Sequence, residues 1–330
     1  MAMNDYLIEE VALDCRDGLL TRRDALRRLT LLGVSATAAG VLLAGCGSDD
    51  DAGSAASDAA ATTGAGTGSS TPRTSVAEGA GTTRPAGTTT AAPTTSAVPA
   101  AVPGADGTIA FPGPNGQLLG VLATAPEPKG AVLVIHENRG LTPHISTIPA
   151  RLAADGYTAL AIDLLSGEGG TASLGGDDAA IAALGAASGE RLIGDLRAGL
   201  DELQRQAPDA KLAVIGFCFG GGMTWRILDV GDPRISAAVP FYGPAPDSPD
   251  FSGSPNAAVL GIYAGLDDRV NASRDTAQAA LETAGLTHEI RTFDGVNHAF
   301  FNDTGGRYDA TAAAEAYQAM LDWFNQHLAA

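Results

Sequence analysis

The chain has 330 residues, with 38 Asp and Glu against 20 Lys and Arg, a net charge of −18, and 45% hydrophobic residues. Such an acidic chain excludes nucleic acid and anionic lipid surfaces as partners, because their phosphates would repel it. Its length allows one large domain or two small ones.

Residues 1–45 carry Thr21-Arg22-Arg23-Asp24-Ala25-Leu26, then the apolar, small-residue stretch Leu29 to Leu43, and end in Leu43-Ala44-Gly45-Cys46. A positive region, a short apolar region and a small-residue site predict an export signal, and the paired arginines predict the twin-arginine kind. The apolar stretch is shorter than the ~20 residues of a membrane span. Leu-Ala-Gly-Cys resembles the bacterial lipobox, which would make Cys46 the acylated first residue of an exported lipoprotein. The expected location is the extracytoplasmic face of the cell membrane, held by lipid alone. An uncleaved anchor helix or a chance cysteine is the plainer alternative.

The three cysteines fit that division. Cys15 would leave with the signal, Cys46 would carry lipid, and Cys218 would be the free thiol of the exported domain. Residues 46–105 are dominated by Ala, Thr, Gly, Ser and Pro. With little to bury, such a segment is expected to be a disordered tether.

Residues 106–330 alternate apolar strand-like runs with helical patterns. Thr108-Phe111 and Leu118-Ala123 predict a leading hairpin. Further strands are predicted at Ala131-Ile135, Tyr157-Ile162, Leu212-Ile215, Ile235-Phe241, Val259-Tyr263 and Glu289-Phe293. Helices are predicted at His144 to Asp155, Glu190 to Gln206, Gly221 to Val230, Ala277 to Ala284 and Ala310 to His327. This alternation implies an α/β fold with a mainly parallel central sheet and helices on both faces. Ligands then bind beyond the carboxyl ends of the strands.

Gly216-Phe217-Cys218-Phe219-Gly220 follows the strand Leu212-Ile215 and precedes a helix. Strand, Gly-x-nucleophile-x-Gly turn and helix make the nucleophile elbow of an α/β-hydrolase. A buried structural cysteine is the plainer reading of the pentapeptide alone. Asp267 follows the strand Val259-Tyr263, and His298 follows Glu289-Phe293, so nucleophile, acid and histidine fall in α/β-hydrolase order. His298 would accept the thiol proton and Asp267 would orient the imidazole. Asp268 is an alternative acid, and His298 is one of five histidines. The backbone N–H of Phe219 and a second donor near Asn138 would hold the oxyanion. Glu137 either caps a strand end or faces the site.

From about Ala131 to Phe324 the chain resembles the dienelactone hydrolase family. The likeness rests on Val134-Ile135-His136-Glu137-Asn138-Arg139-Gly140, Gly216-Phe217-Cys218-Phe219-Gly220-Gly221, Asp267-Asp268-Arg269-Val270-Asn271 and Asn297-His298-Ala299-Phe300. The resemblance implies an α/β-hydrolase fold and a Cys218–His298–Asp267 triad, with Glu137 in contact with the nucleophile. It implies a carboxylic ester hydrolase of the carboxymethylenebutenolidase kind, acting on a small ester or lactone. The family holds its substrate's carboxylate with arginines, one of them four residues after the histidine. Here that position is Asn302, so Asn302, Arg139 and Arg191 are the candidate substrate contacts, and a neutral substrate is as compatible as an anionic one. A thioesterase or general carboxylesterase on the same triad, or a surface lipoprotein that only binds, are the alternatives. No metal cluster, phosphate loop or dinucleotide fingerprint is visible, so no cofactor is expected.

Overall fold

A computed structural model describes residues 3–46 and 107–328. An eight-stranded sheet with strand order β1-β2-β4-β3-β5-β6-β7-β8 organises them. β1 (Thr108–Gly113) and β2 (Gly116–Ala123) form the predicted antiparallel hairpin, and β2 pairs antiparallel with β4 (Thr158–Asp163). From β4 onward, through β3 (Ala131–Ile135), β5 (Leu212–Phe217), β6 (Ile235–Phe241), β7 (Ala258–Ala264) and β8 (His288–Phe293), every pairing is parallel. Every residue of β3, β4, β5 and β7 is buried. That is why these strands read as unbroken apolar runs rather than as alternating patterns.

Helices cover both faces. α6 (Gly189–Gln206) and α7 (Phe219–Val230) lie side by side on one, against β3 and β5. α4 (Pro143–Ala154) and α10 (Ala310–His327) share the other, where Arg151 of α4 stacks on Tyr317 of α10 at 4.5 Å. α6 begins where the Ser188 side chain accepts from Arg191 N, and α10 where Asp309 accepts from Ala312 N. These caps satisfy amides that the first helical turn leaves without carbonyl partners. α8 (Asp268–Asn271) and α9 (Arg274–Thr283) connect β7 to β8. α5 (Asp177–Ala186) occupies a stretch that periodicity left unassigned. Its Ala- and Gly-rich sequence shows almost no apolar stripe, although Ala180, Ile181 and Leu184 are buried.

The folded unit is wider than the sequence suggests. The expected domain begins at 106, but residues 3–46 also fold onto it, forming α1 (Met3–Arg16), α2 (Arg22–Leu31) and α3 (Ala36–Leu42). Tyr6, Leu7, Val11, Ala25, Leu29, Ala39 and Leu43 enter the same hydrophobic core as the sheet. Arg27 and Arg28 reach Asp178 at the start of α5. Among the described residues no helix is long and apolar enough to cross a membrane. Of the expected linker, 46–105, all but Cys46 lies outside the described residues.

Candidate active site

β5 and α7 meet at Cys218, whose backbone sits at φ 57° and ψ −115°. A positive φ in a residue with a Cβ costs energy and persists only where surrounding structure enforces it. Here the enforcement comes from glycines. A Cβ on Gly216 would lie 2.0 Å from the Gly220 carbonyl oxygen, and one on Gly220 would lie 2.3 Å from that of Ile135. The strand can therefore double back into the helix only with hydrogen at those positions. Tyr242 and Ala299 also have positive φ, at 35° and 61°, and they follow β6 and His298, so the backbone is bent around one point.

His298 comes to that point from the loop after β8. Its Nδ1 lies 2.5 Å from Asp267 Oδ2, with both side chains 1% exposed. Asp267 is at the carboxyl end of β7 and also accepts from Val270 N at 3.3 Å as the cap of α8. The neighbouring Asp268 is exposed, so geometry selects Asp267. Burial alone would push the Asp267 carboxyl up, but the charge and hydrogen bond of His298 outweigh it and hold the carboxyl below its ordinary value. Burial alone would lower the His298 imidazole, yet the carboxylates of Glu10 and Asp267 hold it well above its ordinary value. Burial, then the Glu10 charge, raise the Cys218 thiol, while His298 pulls it back.

Glu137 and Asn138, just past β3, line a cavity of about 190 Å³ together with Cys218, Arg139 and Asn302. Asn302 Nδ2 donates to Glu137 Oε2 at 2.6 Å, and Asn302 Oδ1 accepts from Thr304 N and Oγ1. Asn302 therefore braces Glu137 as well as facing the cavity. The other oxygen of Glu137, Oε1, is buried without a hydrogen-bond partner among the described residues. Burial raises the Glu137 carboxyl, opposed by His144 and by the Asn302 hydrogen bond. His136 is structural: its Nε2 accepts from Leu164 N at 3.1 Å and its Nδ1 lies 2.6 Å from the Glu137 carbonyl oxygen.

One expectation is corrected here. Arg191 is not at the site: its Nη2 donates to Leu164 O at 3.1 Å and its Nη1 reaches Glu168, bracing the loop after β4. The Cys218 sulfur, which shares its cavity with Glu137, also lies 3.1 Å from the Tyr6 hydroxyl. Tyr6 belongs to α1, and with it come further groups that the sequence reading missed. Glu10 lies between His298 Nε2, 3.5 Å from its Oε1, and the guanidinium of Arg269. Arg307 pairs with Asp14 at 2.9 Å and Asp17 at 2.6 Å. Arg139, 41% exposed, lies 3.9 Å from Asp14 and 3.5 Å from Asp177. The i, i+4 spacing of Tyr6, Glu10 and Asp14 was the available signal, placing them on one helix face. A carboxylate oxygen of Glu10, Cys218 Sγ and an imidazole nitrogen of His298 lie within 4.8 Å of one another, and are the described groups that could converge on a cation. A covalent hydrolase would use the same sulfur and imidazole.

The model of the dienelactone hydrolase family matches residues 118–328. The chain belongs to that family. A protein of Escherichia coli O157:H7 named "Putative carboxymethylenebutenolidase" is 33% identical over 212 residues, covering 61% of this chain and 78% of its own. A protein of the same name from Yersinia pestis is 33% identical over 216 residues, covering 62% and 80%. The Klebsiella pneumoniae crystal structure named "Putative Dienelactone Hydrolase" superposes with TM-score 0.59 at 28% identity, covering 67% of this chain and 98% of its own. A dienelactone hydrolase-like promiscuous phosphotriesterase from metagenomic libraries shares the fold, with TM-score 0.57 at 23% identity. This dienelactone hydrolase family member is therefore a hydrolase on an α/β-hydrolase fold. Its α1, α2 and α3 lie outside the stretch the family model matches.

Proposed function

We propose that the chain hydrolyses a small carboxylic ester or lactone through an acyl-cysteine intermediate. The observation that carries this reading is the Cys218 sulfur at the apex of the elbow, within reach of a histidine held by Asp267. The Cys218 thiol gives its proton to His298 Nε2, and the sulfur attacks the carbonyl carbon. The resulting oxyanion is held by the Phe219 N–H at the start of α7 and a backbone N–H near Asn138. His298 returns the proton to the leaving alkoxide, leaving a thioester. His298 then takes a proton from water as the hydroxide attacks the thioester, and returns it to the departing Cys218 thiolate, so that the carboxylic acid leaves and the thiol is restored. Asp267 keeps the imidazole in one tautomer and stabilises its charged form. The names of the relatives point to a lactone. Assay of p-nitrophenyl acetate, p-nitrophenyl butyrate and a dienelactone tests the reading. Mass spectrometry should trap an acyl adduct on the Cys218 peptide, and Cys218→Ala should abolish both turnover and adduct.

We infer further that residues 1–45 are an export signal and that Cys46 is acylated, anchoring the domain on the extracytoplasmic face of the membrane. The Arg22-Arg23 pair and the Leu-Ala-Gly-Cys run support this. Detergent phase partition of the cell-expressed protein tests it: the chain should enter the detergent phase, and Cys46→Ala should leave it in the aqueous phase.

A further inference from the structure

Four side chains of α1 and the turn after it, Tyr6, Glu10, Asp14 and Asp17, converge on the machinery just described. The Tyr6 hydroxyl occupies the approach to the Cys218 sulfur. The Glu10 carboxylate stands 3.5 Å from His298 Nε2, the atom that must receive the thiol proton. Asp14 and Asp17 hold Arg307, while Glu10 holds Arg269, whose guanidinium also stacks on the Tyr6 ring at 4.4 Å. Helix carboxylates therefore fill the cationic positions at the rim of the site. What is left beside the sulfur is a cavity of about 190 Å³, below the ~300–1,000 Å³ usual for small-molecule sites.

We propose that α1 is an intramolecular inhibitor of the hydrolase, and that severing residues 3–45 from the domain releases Cys218 for catalysis. This rests on the ester-hydrolase reading above. The shared part of the family, residues 118–328, does not include α1, so the chemistry is complete without it. Docking is driven by burial of apolar surface: Leu7 and Val11 are 0% and 1% exposed. A 14-residue helix is marginal on its own in water, so α1 owes its form to the surface it blocks. The connection between inhibitor and domain runs through Cys46. Cutting the chain anywhere between α3 and β1 turns a tethered contact into a bimolecular one, which removes the effective concentration that the connection supplies.

The test uses the full chain with a sequence-specific protease site introduced between Ser48 and Ala100. Alkylation of Cys218 by iodoacetamide, read on its own peptide, and hydrolysis of p-nitrophenyl acetate are followed before and after cutting, with release of the helices checked by gel filtration. A second route is Leu7→Asp in the uncut chain, which undocks α1 without touching a reacting group. Either change should raise both rates at least about tenfold, as expected when the docked helix leaves only about a tenth of the molecules competent. Hydrolysis that is present but unaltered by release and by Leu7→Asp overturns the inhibitor. So does hydrolysis that falls, which would make α1 part of the working site. Faster alkylation with no hydrolysis in any form leaves α1 as the cover of Cys218 and overturns the ester-hydrolase reading instead.

Discussion

The Tyr6 hydroxyl lies 3.1 Å from the Sγ of Cys218, across 212 positions of sequence. That contact joins the amino-terminal helix to the residue at the apex of the elbow. Both groups are driven toward their neutral forms by burial: the Tyr6 phenol is raised well above its ordinary value, with the Cys218 charge adding to the rise, and the Cys218 thiol is raised by burial and then by the Glu10 charge. A resting thiol under a neutral phenol is a poor nucleophile and a poor target for oxidants.

Glu10→Gln should move the thiol's titration to lower pH. The Glu10 carboxylate raises the Cys218 pKa because its negative charge disfavours the thiolate. Removing that charge makes the thiolate easier to form, so the rise of alkylation rate with pH should begin earlier than in the parent. Stopped-time alkylation across a pH series, read on the Cys218 peptide, checks the sign; an unmoved or alkaline-shifted profile would contradict it.

Asp267→Asn should lower kcat by about 10⁴ by stabilising the wrong imidazole tautomer, on the pattern of serine-hydrolase triads. Asp268→Asn, one position along and exposed, should change kcat less than about twofold, as an exposed substitution away from the reacting atoms leaves transition-state contacts intact. Steady-state kinetics of both variants, prepared in the same cut or uncut form, separates the two carboxylates.

Gly243→Ala should unfold or mispack the domain. Its Cβ would fall 2.1 Å from Gly222 N and 2.2 Å from the Gly221 carbonyl carbon, backbone atoms of α7 that have nowhere to go. Overpacking against backbone costs about 1–3 kcal/mol or more, to be read as a lower thermal midpoint or loss of soluble protein. Gly175→Ala, with nothing within 4 Å of its Cβ, is the control and should leave the midpoint unchanged.

Asn302→Ala should destabilise the site without removing a reacting group. It deprives Glu137 Oε2 of its 2.6 Å donor while Oε1 already has no hydrogen-bond partner among the described residues. Leaving a buried carboxylate short of a donor costs about 1–3 kcal/mol. The loss should show in thermal unfolding and grow as pH rises, because the ionised form is the one that needs the donor. Asn302→Asp should be worse still, since it places a second carboxylate against Glu137.

Much of the domain could be read from the sequence because parallel strands buried on both faces leave unbroken apolar runs. Ile235–Phe241 and Ala310–His327 match their predicted bounds. Cys218, Asp267 and His298 were legible because each follows a strand, where the fold collects ligands. The choice of Asp267 over Asp268 needed coordinates, since adjacent positions differ only in which way the turn presents them. α5 was hidden by small residues that bury little and therefore pattern weakly. α1 was hidden for another reason: its polar face has partners at Cys218, Arg269, His298 and Arg307, all more than 200 positions away. The i, i+4 spacing puts Tyr6, Glu10 and Asp14 on one face, but charge buried against distant charge leaves no local sign of what that face meets, so Glu10 reads as an ordinary solvated carboxylate.

Arg22, the first of the paired arginines, donates from Nη1 to the carbonyl oxygens of Leu43 at 2.7 Å and Cys46 at 3.4 Å. Those carbonyls bracket the peptide bond between Gly45 and Cys46. A peptidase would need that backbone extended and free, and any receptor reading the arginine pair would need the same guanidinium. One side chain cannot serve both. If residues 1–45 are the export signal proposed above, engagement of Arg22 elsewhere would unfasten the Gly45–Cys46 bond, so recognition would have to precede scission, and release of Cys218 would follow both.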